Sequence, residues 1–288
     1  MPKSLLPYEG LTVEALFAPI RLTLLQPLFI GPLLLGLYRF PSFVTKLLPP
    51  NVHEVVRSTY LLKGLGILFG IGLLRKVNNR LSQLVLNNFT KDKTWDWTKE
   101  IVVVTGGSGG IGGLIVRMFA ENNIKVIILD VSAPTSTTKL SNVYFYQVDI
   151  TSSEKIRDVA EKIRKDHGDP TVLINNAGVG INKTILDETE AEMRLVFEVN
   201  TIAHFLLVKE LIPAMIKRNH GHIVTVASMA SFMIHAQNVD YACSKASALA
   251  FHEGLSQELK SRYNAKKNRP PDLGSNSANF DIDAKIKL

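Results

Sequence analysis

The sequence predicts an α/β fold, with helices on both faces of a doubly wound parallel sheet and an apolar N-terminal region of different character. Three observations predict it. Aliphatic runs without polar alternation recur, first at 101–104 and then at 125–129, as strands buried on both faces require. Amphipathic helical patterns separate such runs, which is the alternation of βαβ units. The first run opens into a turn crowded with Gly106, Gly107, Gly109, Gly110 and Gly112, followed by a helix-periodic stretch at 114–120. Strand, glycine turn and helix start together make a Rossmann-type dinucleotide cradle. The backbone can approach the pyrophosphate, whose charge sits against the helix N-terminus.

Composition bounds the rest. At 288 residues, 46% hydrophobic and 20% charged, the chain holds one ordinary α/β domain plus an appendage, and wholesale disorder is excluded. The net charge of +7 is unevenly placed: residues 1–100 carry 12 basic against 6 acidic residues, residues 101–288 carry 21 against 20. The basic excess lies among the N-terminal apolar runs. That suits an anionic membrane surface, and the nearly neutral remainder offers no basic stripe to nucleic acid. Cys243 is the single cysteine, so no intrachain disulfide forms and a reducing compartment is expected.

The N-terminal third reads as a membrane anchor. Residues 22–38 form an uncharged run of 17 between Arg21 and Arg39. As a helix it spans about 26 Å, slightly short of a ~30 Å hydrocarbon core. Pro27 and Pro32 are expected to kink it. A second, glycine-rich run at 64–74 ends at Arg75, Lys76 and Arg80. Residues 1–86 are thus a membrane-anchor region, either a spanning helix or a hairpin in one leaflet. Its basic clusters hold the adjoining segment on the cytosolic side. Residues 87–99, polar with two tryptophans, read as a linker.

The domain at 100–265 comes after this linker. A helix is predicted at 113–122 and a second strand at 125–129, ending at Asp130, 18 positions beyond Gly112. A carboxylate there accepts hydrogen bonds from ribose hydroxyls and repels a 2′-phosphate, so NAD(H) is expected in preference to NADP(H). Residues 142–148 form a third strand ending at Asp149 and Ile150, 152–167 an amphipathic helix, and 171–174 a fourth strand running into Asn175, Asn176, Ala177 and Gly178. One long helix is predicted over 189–218, with Asn200 in its middle and Pro213 near its end. A fifth strand at 221–227 delivers Ser228. His220 and His222 lack a third ligand nearby, so a turn is expected there and no metal site. Tyr241 and Lys245 stand four apart, on one helix face. An ammonium beside a phenol favours the phenolate. Such a tyrosine can take a proton from an alcohol as hydride leaves, or return one to a carbonyl.

In combination and order these motifs resemble the short-chain dehydrogenase/reductase family: TGxxxGIG at 105–112, NNAG at 175–178, and the tetrad Asn200, Ser228, Tyr241 and Lys245. The resemblance covers about residues 99–265. It implies that Tyr241 is the acid/base, that Lys245 eases its deprotonation and binds the nicotinamide ribose, that Ser228 holds the substrate oxygen, and that Asn200 supports a water-linked proton relay. It implies cofactor contacts from Gly106, Ser108, Gly110, Ile111 and Gly112, from Asp130, from Asp149 (at the adenine) and Ile150, and from Asn176, Ala177 and Gly178. The strand entry and apolar leader are similar to the membrane-associated branch of retinol, hydroxysteroid and long-chain alcohol dehydrogenases, which sit on endoplasmic reticulum or lipid droplets. This implies NAD(P)-dependent interconversion of a lipophilic alcohol and its carbonyl, with the catalytic domain facing the cytosol.

The family's pattern continues into a sixth buried strand, whereas residues 266–288 are polar and turn-like and end in FDIDAKIKL, which alternates. A half-exposed strand is the most that pattern supports. Two readings are open: a C-terminally truncated member whose five-stranded sheet has an open edge, or a shortened member that completes its sheet as a homodimer. The first carries the alternative function of a catalytically incompetent, membrane-bound binding or scaffold protein.

Overall fold

A computed structural model of the chain describes residues 23–46, 49–86, 89, 95–134 and 140–265. The atypical tail at 266–288 and most of the expected linker lie outside the described residues. The chain divides into two compact units, Met1–Phe89 and Thr90–Leu288.

The first unit is helical: α1 (Pro27–Arg39), α2 (Pro41–Lys46), α3 (His53–Arg57) and α4 (Thr59–Leu86). Pro27 heads α1, where a missing N–H costs nothing, so the kink expected there does not form. Buried Ile30, Leu37 and Leu65 join α1 to α4, with Leu34, Leu62 and Phe69 packed against them. Glycines permit the close approach. A Cβ on Gly31 would stand 3.1 Å from Phe69 Cε2, and one on Gly72 would stand 2.5 Å from the Leu25 carbonyl oxygen. Among the described residues, the spanning form of the anchor finds no helix to carry it. The 13 residues of α1 reach only about 20 Å. The 28-residue α4 is long enough but is interrupted by Lys63, Arg75, Lys76 and Arg80. Among the described residues, no helix is long and apolar enough to cross a membrane.

The second unit holds β1 (Ile101–Thr105), α5 (Gly110–Glu121), β2 (Lys125–Asp130), β3 (Val143–Gln147), α6 (Ser153–His167), β4 (Val172–Asn175), α7 (Glu190–Phe197), α8 (Ala203–Arg218), β5 (His222–Thr225) and α9 (Val239–Ser261). All pairings are parallel and the strand order is β3-β2-β1-β4-β5. The sheet is therefore the five-stranded, Rossmann-like one predicted. Period-2 alternation divides its core. Val102, Val104, Val126 and Ile128 pack with Ile115, Val116 and Phe119 of α5. Val103, Ile127 and Leu173 pack on the other face with Ile156 and Ile163 of α6 and Leu207 and Met215 of α8. The strand order reverses between β1 and β4. A crevice opens at such a switch point, beyond the C-terminal ends of the strands.

Two expectations change. The tryptophans of the linker belong to this core: Trp97 lies 5.6 Å from Phe119, and Trp95 lies 4.5 Å from the ring of His220. The single long helix at 189–218 is interrupted by a turn of π-helix, Glu198–Ile202, between α7 and α8.

Candidate active site

The Thr105 side chain, at the end of β1, joins the glycine turn to the end of β4. Its Oγ1 accepts hydrogen bonds from the backbone N–H groups of Asn176 and Ala177, both at 3.0 Å. Asn176 Nδ2 donates in return to the carbonyls of Thr105 and Gly106, at 2.9 and 3.2 Å. Gly106 and Gly110 take φ of 65° and 53°, where a side chain is strained. A Cβ on Gly112 would run into the Gly106 carbonyl and come within 2.5 Å of Asn176 Nδ2. The floor thus stays bare backbone at the start of α5, whose first N–H groups have no carboxylate in the first turn to compete for them.

At the far end of β2, Asp130 accepts from Ser108 N at 3.0 Å and from Ser132 N at 3.1 Å. Asp149 accepts from the Thr151 hydroxyl at 2.7 Å and the Thr151 N–H at 3.0 Å. The hydroxyl contact, then the N–H, holds its carboxyl below the usual range. The Ile150 side chain is buried in the core with Ile156 and Val159, which leaves only its backbone to face the cleft side.

The tetrad converges from three elements. The π turn rotates Asn200 fully inward, with no exposed surface. Its Oδ1 accepts from Val179 N at 2.8 Å, and its Nδ2 donates to Val179 O and to Ser244 Oγ, both at 2.9 Å. Ser244 Oγ donates onward to the Tyr241 carbonyl at 2.8 Å. Lys245 is 3% exposed, and its Nζ donates to Val226 O at 2.8 Å. That nitrogen lies 5.7 Å from the centroid of the Tyr241 ring. Burial pushes the Lys245 pKa down, against the carbonyl contact that favours the ammonium. Ser228 caps a short turn, its Oγ accepting from Ala230 N at 3.1 Å. A Cβ on Gly178 would meet both Asn200 Oδ1 and Lys245 Nζ at 3.3 Å, so only glycine keeps the space beside them open.

A cleft of about 350 Å³ collects these groups. Gly106, Gly110, Ile111 and Gly112 line its floor together with Asn176, Ala177 and Gly178, and Ser228, Tyr241 and Lys245 line its wall. Asn200 stands behind that wall, and Ser108, Asp130, Asp149 and Ile150 are outside the lining. Thr105 was read only as the first residue of the TGxxxGIG motif, and Ser244 was not read from the sequence, because a serine carries no signal until the fold gives it partners. Neither was His204, which is 1% exposed with neither ring nitrogen hydrogen-bonded. Burial first, then the Lys245 charge, pushes it down to about 4. The histidines at 220 and 222 do not join the site; His220 Nε2 lies 3.1 Å from both Glu100 oxygens.

The bare glycine floor, a helix N-terminus without a competing acid and a phenol beside a buried ammonium fit a nicotinamide dinucleotide. Comparison with known proteins agrees. The profile of the family described as short chain dehydrogenase matches residues 100–264. The chain is 47% identical to Dehydrogenase RED2 of Cochliobolus heterostrophus over 235 residues, 80% of this chain and 89% of that one. It is 38% identical to Estradiol 17-beta-dehydrogenase 11 of Macaca fascicularis over 167 residues, 56% of either chain. Among solved structures it is similar to a short chain dehydrogenase from Leptospira borgpetersenii with bound NAD+. The TM-score is 0.55 at 26% identity, covering 59% of this chain and 70% of that one. The chain belongs to the short-chain dehydrogenase family, a family of NAD(P)-binding oxidoreductases.

Proposed function

We propose that this oxidoreductase works at a membrane surface, uses NAD(H) in preference to NADP(H), and interconverts a lipophilic alcohol of the retinoid, steroid or long-chain kind with its carbonyl. The observation that carries the reading is the convergence of Tyr241, Lys245 and Ser228 with the glycine floor on one cleft. A nicotinamide cofactor bound there would give or accept the hydride. The chain's own residues supply the rest. The Tyr241 hydroxyl moves the proton at the substrate oxygen, with the Lys245 nitrogen 5.7 Å from the centre of its ring. Ser228 Oγ hydrogen-bonds the same oxygen as charge develops on it. Asn200 commits its carboxamide to Val179 and Ser244, and so fixes α9 against the floor.

Asp130 supports the preference for NAD(H): its charge stands at the end of β2, where a 2′-phosphate would be repelled. Apolar side chains support the lipophilic substrate. Met229, Phe232, Met233 and Ile234 lie just after Ser228 and are exposed, as are Ile185 and Leu186 on the loop after β4. The named activity of the estradiol relative is of the same class. The basic, apolar N-terminal helices support attachment to endoplasmic reticulum or a lipid droplet, with the catalytic unit on the cytosolic side.

The test is NAD+-linked oxidation of estradiol, retinol and hexadecanol by the full chain on phospholipid vesicles. Tyr241→Phe is expected to lower turnover by about 10²–10⁴-fold while NADH affinity is kept. Turnover that survives the substitution contradicts the mechanism.

A further inference from the structure

Between α1 and α4 lies an apolar groove of about 540 Å³ that no motif in the sequence accounts for. Its ends differ. At one, Gly31 lets the helices close on Phe69. At the other, Tyr38, Thr59 and Lys63 stand at the rim, and Leu34, Leu35 and Leu62 wall the space between. At 1.5 Å per residue, the ends lie about 10 Å apart along α1 and about 15 Å apart along α4. The groove therefore has one apolar end and one end bearing two hydroxyls and an ammonium.

Charge selects the occupant. Residues 27–86 hold seven Lys and Arg against a single acid, Glu54. Among the described residues, no carboxylate pairs with Lys63. A second copy seated on the groove would set one basic α4 against another, which like-charge repulsion opposes. A molecule with one aliphatic body and one anionic head complements both ends, and the volume suits a small-molecule site. We propose that the groove binds a long-chain carboxylate, its tail against Phe69 and its head at Lys63. This site is separate from the cleft at Tyr241 and does not depend on the proposed reaction.

The experiment is photolabelling of the full chain on zwitterionic vesicles with diazirine-tagged hexadecanoate, followed by peptide mapping. Label is expected within residues 31–38 and 59–69. Unlabelled hexadecanoate should compete about tenfold better than hexadecanol, the worth of one charge-assisted hydrogen bond. Labelling should fall about tenfold in Lys63→Glu and vanish in Leu34→Trp, with both variants still bound to vesicles. Three outcomes overturn the proposal. Equal competition by hexadecanol, or label spread evenly over Leu28, Leu73, Leu74 and Leu81, means general immersion in lipid. No label in the groove means that another part of the chain or a second copy fills it.

Discussion

In the catalytic unit, Val102, Val103, Val104, Ile127 and Leu173 have no exposed surface, whereas in the N-terminal helices Leu28, Phe29, Tyr38, Tyr60 and Leu74 are between 61% and 84% exposed. Residues of the same chemical kind meet opposite fates in one chain. In the sheet, α5 on one face and α6 and α8 on the other cover the aliphatic positions of the central strands, so the core closes on itself and can hold a rigid site. In the helical unit, only Ile30, Leu37 and Leu65 are buried hydrophobics among the described residues, a few others are half-buried against them, and many large apolar side chains face outward. Exposed patches of that extent mark a surface made to be covered. The difference teaches that the two units follow different rules of burial: one closes its core around a site for chemistry, while the other leaves hydrocarbon and positive charge exposed, as the proposed membrane attachment requires.

Substitutions can break that contrast, the largest effect coming first. Ile127→Ala in β2 should cost the catalytic unit about 2–5 kcal/mol, the transfer and cavity cost of a buried aliphatic. Leu74→Ala in α4 should change the same transition by less than about 0.5 kcal/mol. Both tryptophans of the chain, Trp95 and Trp97, lie in the catalytic unit, so urea unfolding monitored by their fluorescence reads that unit alone. Equal losses would contradict the division.

The next prediction concerns His204, whose pKa is held at about 4 against an ordinary 6.5. Between those values the unfolded chain binds the proton and the folded chain does not. Stability from this group is therefore full above about pH 6.5 and falls as pH drops towards about 4, by up to about 1.4 kcal/mol per pH unit. In His204→Phe that part of the slope should disappear from urea midpoints measured across the window. An unchanged slope would mean that His204 is not kept neutral by its surroundings.

The smallest expected effect sharpens the other side of the comparison. Arg75→Gln and Lys76→Gln should each weaken binding of the full chain to anionic vesicles by about 1 kcal/mol, roughly fivefold, with less effect on zwitterionic vesicles or at high salt. Vesicle flotation measures this directly. Indifference to lipid charge would reduce α4 to an apolar contact.

How far the sequence disclosed all this depended on whether a feature was local. The strands at 101–104 and 125–129 were legible because a central parallel strand needs aliphatic residues on both faces, and few other structures do. The glycine turn and the Tyr241–Lys245 pair were legible because φ above zero and a shared helix face constrain residue type at fixed spacing. The π turn was not: Glu198–Ile202 reads as ordinary helix, and only the pull of Val179 and Ser244 on Asn200 makes the extra residue worthwhile. Trp95 and Trp97 looked like linker residues because their partners, His220 and Phe119, are distant in sequence or hidden on another element. Ser244 and His204 were silent for the same reason. In the N-terminal third, the apolar runs were plain, but their pairing as α1 against α4 depended on Gly31 and Gly72 meeting particular atoms.

The central claim is that the cleft between the glycine turn and Tyr241 holds NAD(H). The most direct measurement is fluorescence titration of the full chain with NADH and, side by side, NADPH, for the wild type and for Gly112→Ala. Circular dichroism confirms that both are folded. Saturable NADH binding is expected, tighter than NADPH binding, and weakened at least about tenfold in Gly112→Ala, where the new methyl strikes the Gly106 carbonyl. Equal NADH binding by the wild type and the folded variant, or none by the wild type, would contradict the claim.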